Sequence, residues 1–435
     1  MLPSTEHPAQ AAACAGNAAP INMDATLFVA LELSLARWVV VASAPGQSKP
    51  GKHAVAACDG PALLALLEEL RRRAERLCRC SVAVVTIQEA GRDGFWLHRL
   101  LEAHGVQSHV VDPASIAVNR RNRRAKTDRV DAEGLLRALM AFLRGERQVC
   151  SMVRPPTREA EDVRRLTRER EALLAERIRH TNRIKGRSGR RFRRSAGPLE
   201  RPRRVLATQG VFGFEPTRQD RRTRLDALRT PEGQGLPPRL RAELLHQIER
   251  LELVLRHIAE VEAARDAALA AERQAAPAAT VPSTEATDAK PMVLPADEGA
   301  GARLLRLKGV GPETAAVLQF EAFQRSFSNR RDLAAYAGLA PTPWQSGGID
   351  NEQGISKSGN PRLRRTMVQL AWFWLRNQPA SALSAWYRER VGDKRGRVKR
   401  IAIVALARKL LVALWRFVTQ GLVPEGAELK PAPAA

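Results

Sequence analysis

Asp128 and Asp131 stand three residues apart, directly after a run of basic residues, in "NRRNRRAKTDRVDAEGLLRAL" (119–139). Residues at this spacing are neighbours on a helix. The row they head continues through the apolar Leu135, Leu139 and Phe142, so it points into the fold. Two more carboxylates sit at the ends of β-rich runs, Glu32 in "LFVALEL" and Glu89 directly after "SVAVVTIQ". In open α/β sheets ligands gather beyond the carboxyl ends of the strands. Four carboxylates gathered there repel one another unless a cation joins them. An all-oxygen set suits Mg2+ or Mn2+, and a pair of such ions can clamp both sides of a phosphodiester displacement. The plainer alternative makes Asp128 a helix N-cap, with Asp131 supporting the helix dipole. Asp112 and Glu133 are reserve candidates, Glu133 facing away from the Asp128/Asp131 row.

The basic run before the aspartates, Arg120, Arg121, Arg123, Arg124 and Lys126, suits a phosphate backbone held over such a site. Further along, "LLRLKGVGPETAAVLQFE" (304–321) places Gly309 and Gly311 between two helical runs. Glycines there let the backbone approach a phosphate, and the second helix offers its N-terminus; a tight structural turn is the alternative. In "AYAGLAPTPWQSGGIDNEQGISKSGNPRLRR" Ser346 precedes two glycines, with Lys357, Arg362, Arg364 and Arg365 following to hold a phosphate. On residue chemistry alone Ser346 is a turn residue, and Ser356 and Ser358 compete for any nucleophilic role. Trp344, Trp372 and Trp374 read as core and not as base-stacking groups.

Elements able to position these groups are visible around them. β-rich runs at 27–33, 37–44, 81–88 and 108–112, with 52–57 as a fifth, alternate with helical periodicity in "PALLALLEELRRRAERL" and "GFWLHRLLEAHG". This pattern predicts an α/β unit over 25–150 with a mixed sheet. A charged helical stretch from 157 carries a broken apolar seam, Val163, Leu166, Leu173 and Ile184, with Arg170 and Arg177 in apolar places. A second helix, about 238–273, has the cleaner seam Leu244, Ile248, Leu251, Leu255 and Ile258. The two predict a coiled-coil-like region over 157–273, with an irregular Arg/Gly-rich segment at 186–237. Residues 274–298 read as an Ala/Pro/Thr-rich linker, 299–425 as a mainly helical C-terminal domain, and 1–24 and 426–435 as tails.

The bulk composition favours a polyanionic partner. Seventy-one Lys and Arg face 46 Asp and Glu, a formal charge of +25 over 435 residues, which attracts nucleic acid non-specifically. Five scattered cysteines, with no second pair at zinc spacing, predict a reduced cytoplasmic protein. No apolar run reaches the roughly 18 residues of a membrane span.

The ordered set "LELS", "IQEAGRDGFWLHRLL", "HVVDPASI", "AKTDRVDAEGLLRAL", "LKGVGPETAAVL", "AYAGLAPTPWQSGG" and "GISKSGNPRLRR" resembles the DEDD-type insertion-sequence transposases, relatives of the Piv-type DNA invertases. The resemblance covers about 27–185 and 299–420. It implies a RuvC-like, RNase H-type N-terminal domain, a coiled-coil middle and a C-terminal transposase domain with a nucleophilic serine and a helix-hairpin-helix-like motif. It also implies Mg2+, DNA as substrate, assembly as a dimer or tetramer, a bacterial cytoplasmic setting and, for some members, a guide (bridge) RNA. By motif, Glu32, Glu89, Asp128 and Asp131 match the four acidic positions, and Ser346 matches the serine. The first position is usually aspartate in the family and is glutamate here. The expected function is therefore a transposase or site-specific recombinase. The alternatives are a junction nuclease using water, and an inactive DNA-binding remnant.

Overall fold

The computed structural model describes residues 22–91, 95–116, 128–185, 206, 209–274, 299–325, 327, 329–346 and 349–430. At 114, 128–130, 272–274, 343–346 and 349–353 it describes the backbone alone. The expected tail 1–24 and linker 274–298 lie almost wholly outside these residues. The chain divides after Pro156 into two units.

In the first unit β1 (Thr26–Glu32), β2 (Arg37–Ser43) and β3 (Gly51–Ala56) form an antiparallel meander. Helix α1 (Gly60–Cys78) leads to β4 (Ala83–Glu89), and α2 (Trp96–Ala103) to β5 (Gln107–Val111). Helix α3 (Asp128–Leu143) and the short β6 (Met152–Val153) complete the unit. The sheet order is β3-β2-β1-β4-β5-β6, with β1, β4 and β5 parallel and β6 antiparallel on the edge. Alternation along β1 assigns the two faces. Leu27, Val29 and Leu31 pack with Leu63 and Leu67 of α1 and Leu97 and Leu101 of α2. Phe28 and Ala30 pack, with Val85 and Ile87 of β4, against Ala132, Leu135 and Leu139 of α3. Strands buried on both faces explain the near-continuous apolar runs in the sequence.

The second unit is built from helices with one hairpin. Helix α4 (Arg158–Lys185) is followed by the short α5 (Arg221–Asp226), inside the stretch read as irregular, and by α6 (Pro238–Gln274). Helices α4 and α6 pack antiparallel: Leu173 meets Val254, Ile258 and Val261, while Ile184 meets Leu244, Ile248 and Leu251. Arg170, which breaks the α4 seam, pairs with Glu262 of α6 at 2.6 Å. Then come α7 (Ala300–Arg306), α8 (Pro312–Leu318), a π-helical turn (Gln319–Phe323) and α9 (Arg330–Tyr336). The hairpin β7 (Pro341–Ser346) and β8 (Ile349–Ile355) precedes α10 (Pro361–Asn377), α11 (Ala382–Val391) and α12 (Arg397–Gln420). Trp374, Phe320 and Phe417 anchor the core. Beyond α12 the chain returns to the α7–α8 turn, where Leu429 bridges Leu307 and Lys430 N donates to Arg306 O at 2.6 Å. Mixed α/β followed by helices is thus the architecture; the hairpin is the element that apolar periodicity does not announce.

Candidate functional site

Strands β1 and β4 run parallel with Leu31 opposite Gln88, so one step further Glu32 lies beside Glu89. Both have the parity of the residues that pack beneath α3: Glu32 follows Phe28 and Ala30, and Glu89 follows Val85 and Ile87. Neighbouring strands are about 4.8 Å apart, close enough for two adjacent carboxylates to share one cation. Both side chains are half-buried, as is Asp131. Asp131 stands one turn before Leu135, on the stripe that α3 lays over the sheet. Asp128 is the first residue of α3; its side chain lies outside the described residues. Among the described side chains no group of three or more acidic, His or Cys residues is close enough to hold a metal. What fits a hard divalent cation is the chemistry of the set: carboxylates only, at parallel strand ends, under one helix. Asp112 follows β5 and is exposed. Arg120, Arg121, Arg123, Arg124 and Lys126 lie outside the described residues.

In the second unit Gly309 has φ +89, and a Cβ there would come within 2.9 Å of Asn377 Cβ. The turn therefore requires glycine for packing, whatever else it does. Its carbonyls are taken by the same chain: Gln378 Nε2 donates to Lys308 O at 2.9 Å and Lys430 Nζ to Val310 O at 2.7 Å. Gly311 has open space at its Cβ position.

Ser346 closes β7, in register with Ile349 of β8; its side chain lies outside the described residues. The motif "ISKSGNPRLRR" clasps the base of this hairpin. Ser356 N donates to Ala340 O at 2.9 Å and Asn360 N to Tyr336 O at 2.7 Å. Gly359 (φ +93) passes so close to α9 that a Cβ would collide with the Tyr336 and Ala335 carbonyls. Asn360 caps α10, accepting from Arg362 N at 3.0 Å and Leu363 N at 3.1 Å.

Under the clasp sits a buried carboxylate that sequence reasoning missed. Glu321, 1% exposed and within the π-helical turn, accepts from Arg168 Nε at 3.0 Å, Arg168 Nη2 at 3.2 Å and Asn360 Nδ2 at 3.0 Å. Burial pushes this carboxyl up, but the Arg168 guanidinium and the Asn360 amide outweigh it and hold the group below the ordinary glutamate range. Arg164, buried beside it, donates to Phe320 O at 2.8 Å. The available signal was a lone acid inside the apolar run "AAVLQFEAF".

This network redistributes the expected phosphate-binding cations. Arg362 turns inward to Glu171 at 2.5 Å and to Thr167 O at 2.7 Å. Arg364 donates to Lys357 O at 2.7 Å, fixing the left-handed Lys357 (φ +58). Lys357 and Arg365 stay at the surface, although Arg365 also reaches Glu171 at 2.6 Å. Of the tryptophans, Trp374 is core and bonds Ser381 Oγ at 2.9 Å. Trp372 is exposed, against the expectation that it belongs to the core.

Comparison with known proteins places these segments. A DEDD transposase model of the IS110 type matches residues 37–187, spanning Glu89, Asp128 and Asp131 and starting just after Glu32. A second model, described as Transposase IS116/IS110/IS902 family, matches 301–385, from the glycine turn through the hairpin to α11. The "Putative transposase y4rJ" of Sinorhizobium fredii is 52% identical over 93% of this chain and 94% of its own length. The transposase for insertion sequence element IS1328 of Yersinia enterocolitica is 25% identical over 81% and 91%. With carboxylates at parallel strand ends, a serine-bearing hairpin and a half-identical relative along nearly its whole length, the chain belongs to the IS110 family of DEDD transposases.

Proposed function

We propose that this transposase cuts and exchanges DNA strands, with Glu32, Glu89, Asp128 and Asp131 holding Mg2+ (or Mn2+) and Ser346 as the nucleophile. The observation that carries the reading is the β1–β4 register, which sets Glu32 beside Glu89 on the face covered by α3. A β1–β3 meander continued by parallel β4 and β5 is read as RNase H/RuvC-like, the α4–α6 pair as a coiled coil, and α7–Gly309–Gly311–α8 as helix-hairpin-helix-like. A bound divalent ion would polarise the scissile phosphate and lower the cost of charge developing on it. The Ser346 Oγ loses its proton and forms a bond to phosphorus as the bond to one DNA oxygen breaks, and the departing oxygen takes up one proton in exchange, so the step is balanced. The seryl phosphodiester conserves bond energy, so a DNA hydroxyl can reverse the step on a new partner strand. Lys357 and Arg365 at the surface, with Arg120, Arg121, Arg123, Arg124 and Lys126, are proposed to neutralise backbone phosphates. Assembly as a dimer or tetramer, a guide RNA and a cytoplasmic setting belong to the same reading; no helix among the described residues is long and apolar enough to cross a membrane.

The test is Ser346→Ala on supercoiled donor DNA with Mg2+. Strand exchange and the covalent protein–DNA adduct should both vanish while DNA binding persists. An adduct that survives, or wild-type products with free ends and no adduct at any time, overturns the serine assignment.

A further inference from the structure

Helix α10 presents two large aromatic side chains to solvent, Trp372 at 48% and Phe373 at 52% exposure, while its Trp374 is fully buried. Exposed neighbouring aromatics carry a hydration cost that a partner relieves. Their setting says which partner. Exposed Arg365, Gln369, Trp372 and Arg376 follow one another at spacings of four, three and four, and so share one stripe of the helix. Phe373 stands beside that stripe, four residues after Gln369 and three before Arg376. Helix α10 has no acidic residue; of its four arginines Arg365 and Arg376 lie on this stripe, Arg365 also reaching Glu171, while Arg362 and Arg364 are turned to Glu171, Thr167 O and Lys357 O. Such a face repels a second copy of itself and attracts a polyanion.

The Trp372 ring is held in place. It rests edge-on against Tyr387 of α11, with centroids 6.4 Å apart and planes at 71°. One turn on, Asn377 Nδ2 donates to Phe373 O at 2.8 Å, and the same side chain abuts Gly309. Helix α10 thus meets the glycine turn through Asn377, one turn beyond Phe373.

We propose that Trp372 and Phe373 form a stacking platform for unpaired bases of a DNA strand, flanked by Arg365 and Arg376 on its phosphates. Bases in a duplex are already stacked on each other, whereas an unpaired base offers its face to a ring. The proposal rests on DNA being the substrate and adds where a strand opened for exchange is held. It goes beyond the metal site and the serine, since it calls for discrimination between single and double strands by residues outside both.

The test compares full-length wild type, Trp372→Ala/Phe373→Ala and Trp372→Phe/Phe373→Tyr by fluorescence anisotropy. The probes are labelled oligothymidine, a DNA duplex and oligouridine, each at two salt concentrations. The alanine pair should lose about tenfold or more in affinity for oligothymidine, with duplex binding altered by less than about twofold. The salt dependence should stay the same, because no phosphate contact is removed, and the aromatic pair should restore binding. Unchanged oligothymidine affinity, equal loss on duplex, or a loss confined to oligouridine overturns the proposal. So does a change of oligomeric mass in the alanine pair, which would make a second copy the occupant. Failure of the wild type to bind any DNA would instead sink the underlying functional reading.

Discussion

Glu321→Gln removes one charge and leaves the shape of the side chain almost unchanged, so it isolates what the buried carboxylate does under the hairpin. The wild-type group receives two charge-assisted bonds from Arg168 and one from Asn360. Hydrogen bonds to charged groups contribute about 1.5–3 kcal/mol each. Arg168 is more than half exposed, so water recovers much of its loss and the lower end applies. Arg164 is only 6% exposed and loses its nearby counter-charge, which adds to the cost. Together these give about 3 kcal/mol, the low end of the range for breaking a buried ion pair on one side. Urea unfolding followed by tryptophan fluorescence reads this unit well, since five of the seven tryptophans fall after residue 157. With a slope of about 3 kcal/mol per molar, the midpoint should drop by about 1 M.

The pH dependence gives an independent check. The Glu321 carboxyl is held below its ordinary value in the folded protein. Its stabilisation is therefore complete above the unfolded value of about 4.3 and is lost as pH falls through the lower folded value. The gap between wild type and Glu321→Gln should be constant above pH of about 5 and narrow below it. A midpoint shift under about 0.2 M at neutral pH, or a gap that persists unchanged in acid, refutes the role assigned to Glu321.

Two further outcomes follow from the geometry. Gly309→Ala should cost about 1–3 kcal/mol in thermal unfolding, because it combines positive φ with a clash against Asn377, while Gly311→Ala, with open space around it, should stay within about 0.5 kcal/mol; equal losses would refute the packing account of the turn. Glu32→Asp should keep Mg2+-dependent cleavage, because the shorter acid leaves the same donor at the same strand end, whereas Glu32→Gln and Glu89→Gln should each lose about a hundredfold or more; full activity in Glu32→Gln would show that Glu32 is not a metal ligand.

The positions of the acidic residues at strand ends and on α3 were legible from sequence, because strand ends and helix starts are written in local patterns. Apolar runs of β-branched residues gave the strands, the alternation placed Glu32 and Glu89 at their ends, and the stripe below Asp131 fixed the buried face of α3. The long helices were equally visible, and one of the two arginines that broke the α4 seam, Arg170, had a reason found only in three dimensions, its pairing with Glu262. The hairpin β7–β8 was not legible. Its segment "PTPWQSGGIDNEQGI" has two prolines and polar residues throughout, so neither period shows. Its base is fixed by contacts to α9 that no window of sequence contains.

The basic residues show what residue type alone leaves out. "SGNPRLRR" looks like a row of phosphate ligands, and charge alone supports that view. Arg362 and Arg364 are instead engaged inside the protein, one with Glu171 and Thr167, the other with the Lys357 carbonyl. An arginine spent on a carbonyl or a buried carboxylate fixes geometry and offers little to a phosphate. The motif also forms a clasp at the base of the β7–β8 hairpin. Within this motif Gly359, Asn360, Arg362 and Arg364 make contacts inside the protein, while Lys357 and Arg365 stay at the surface.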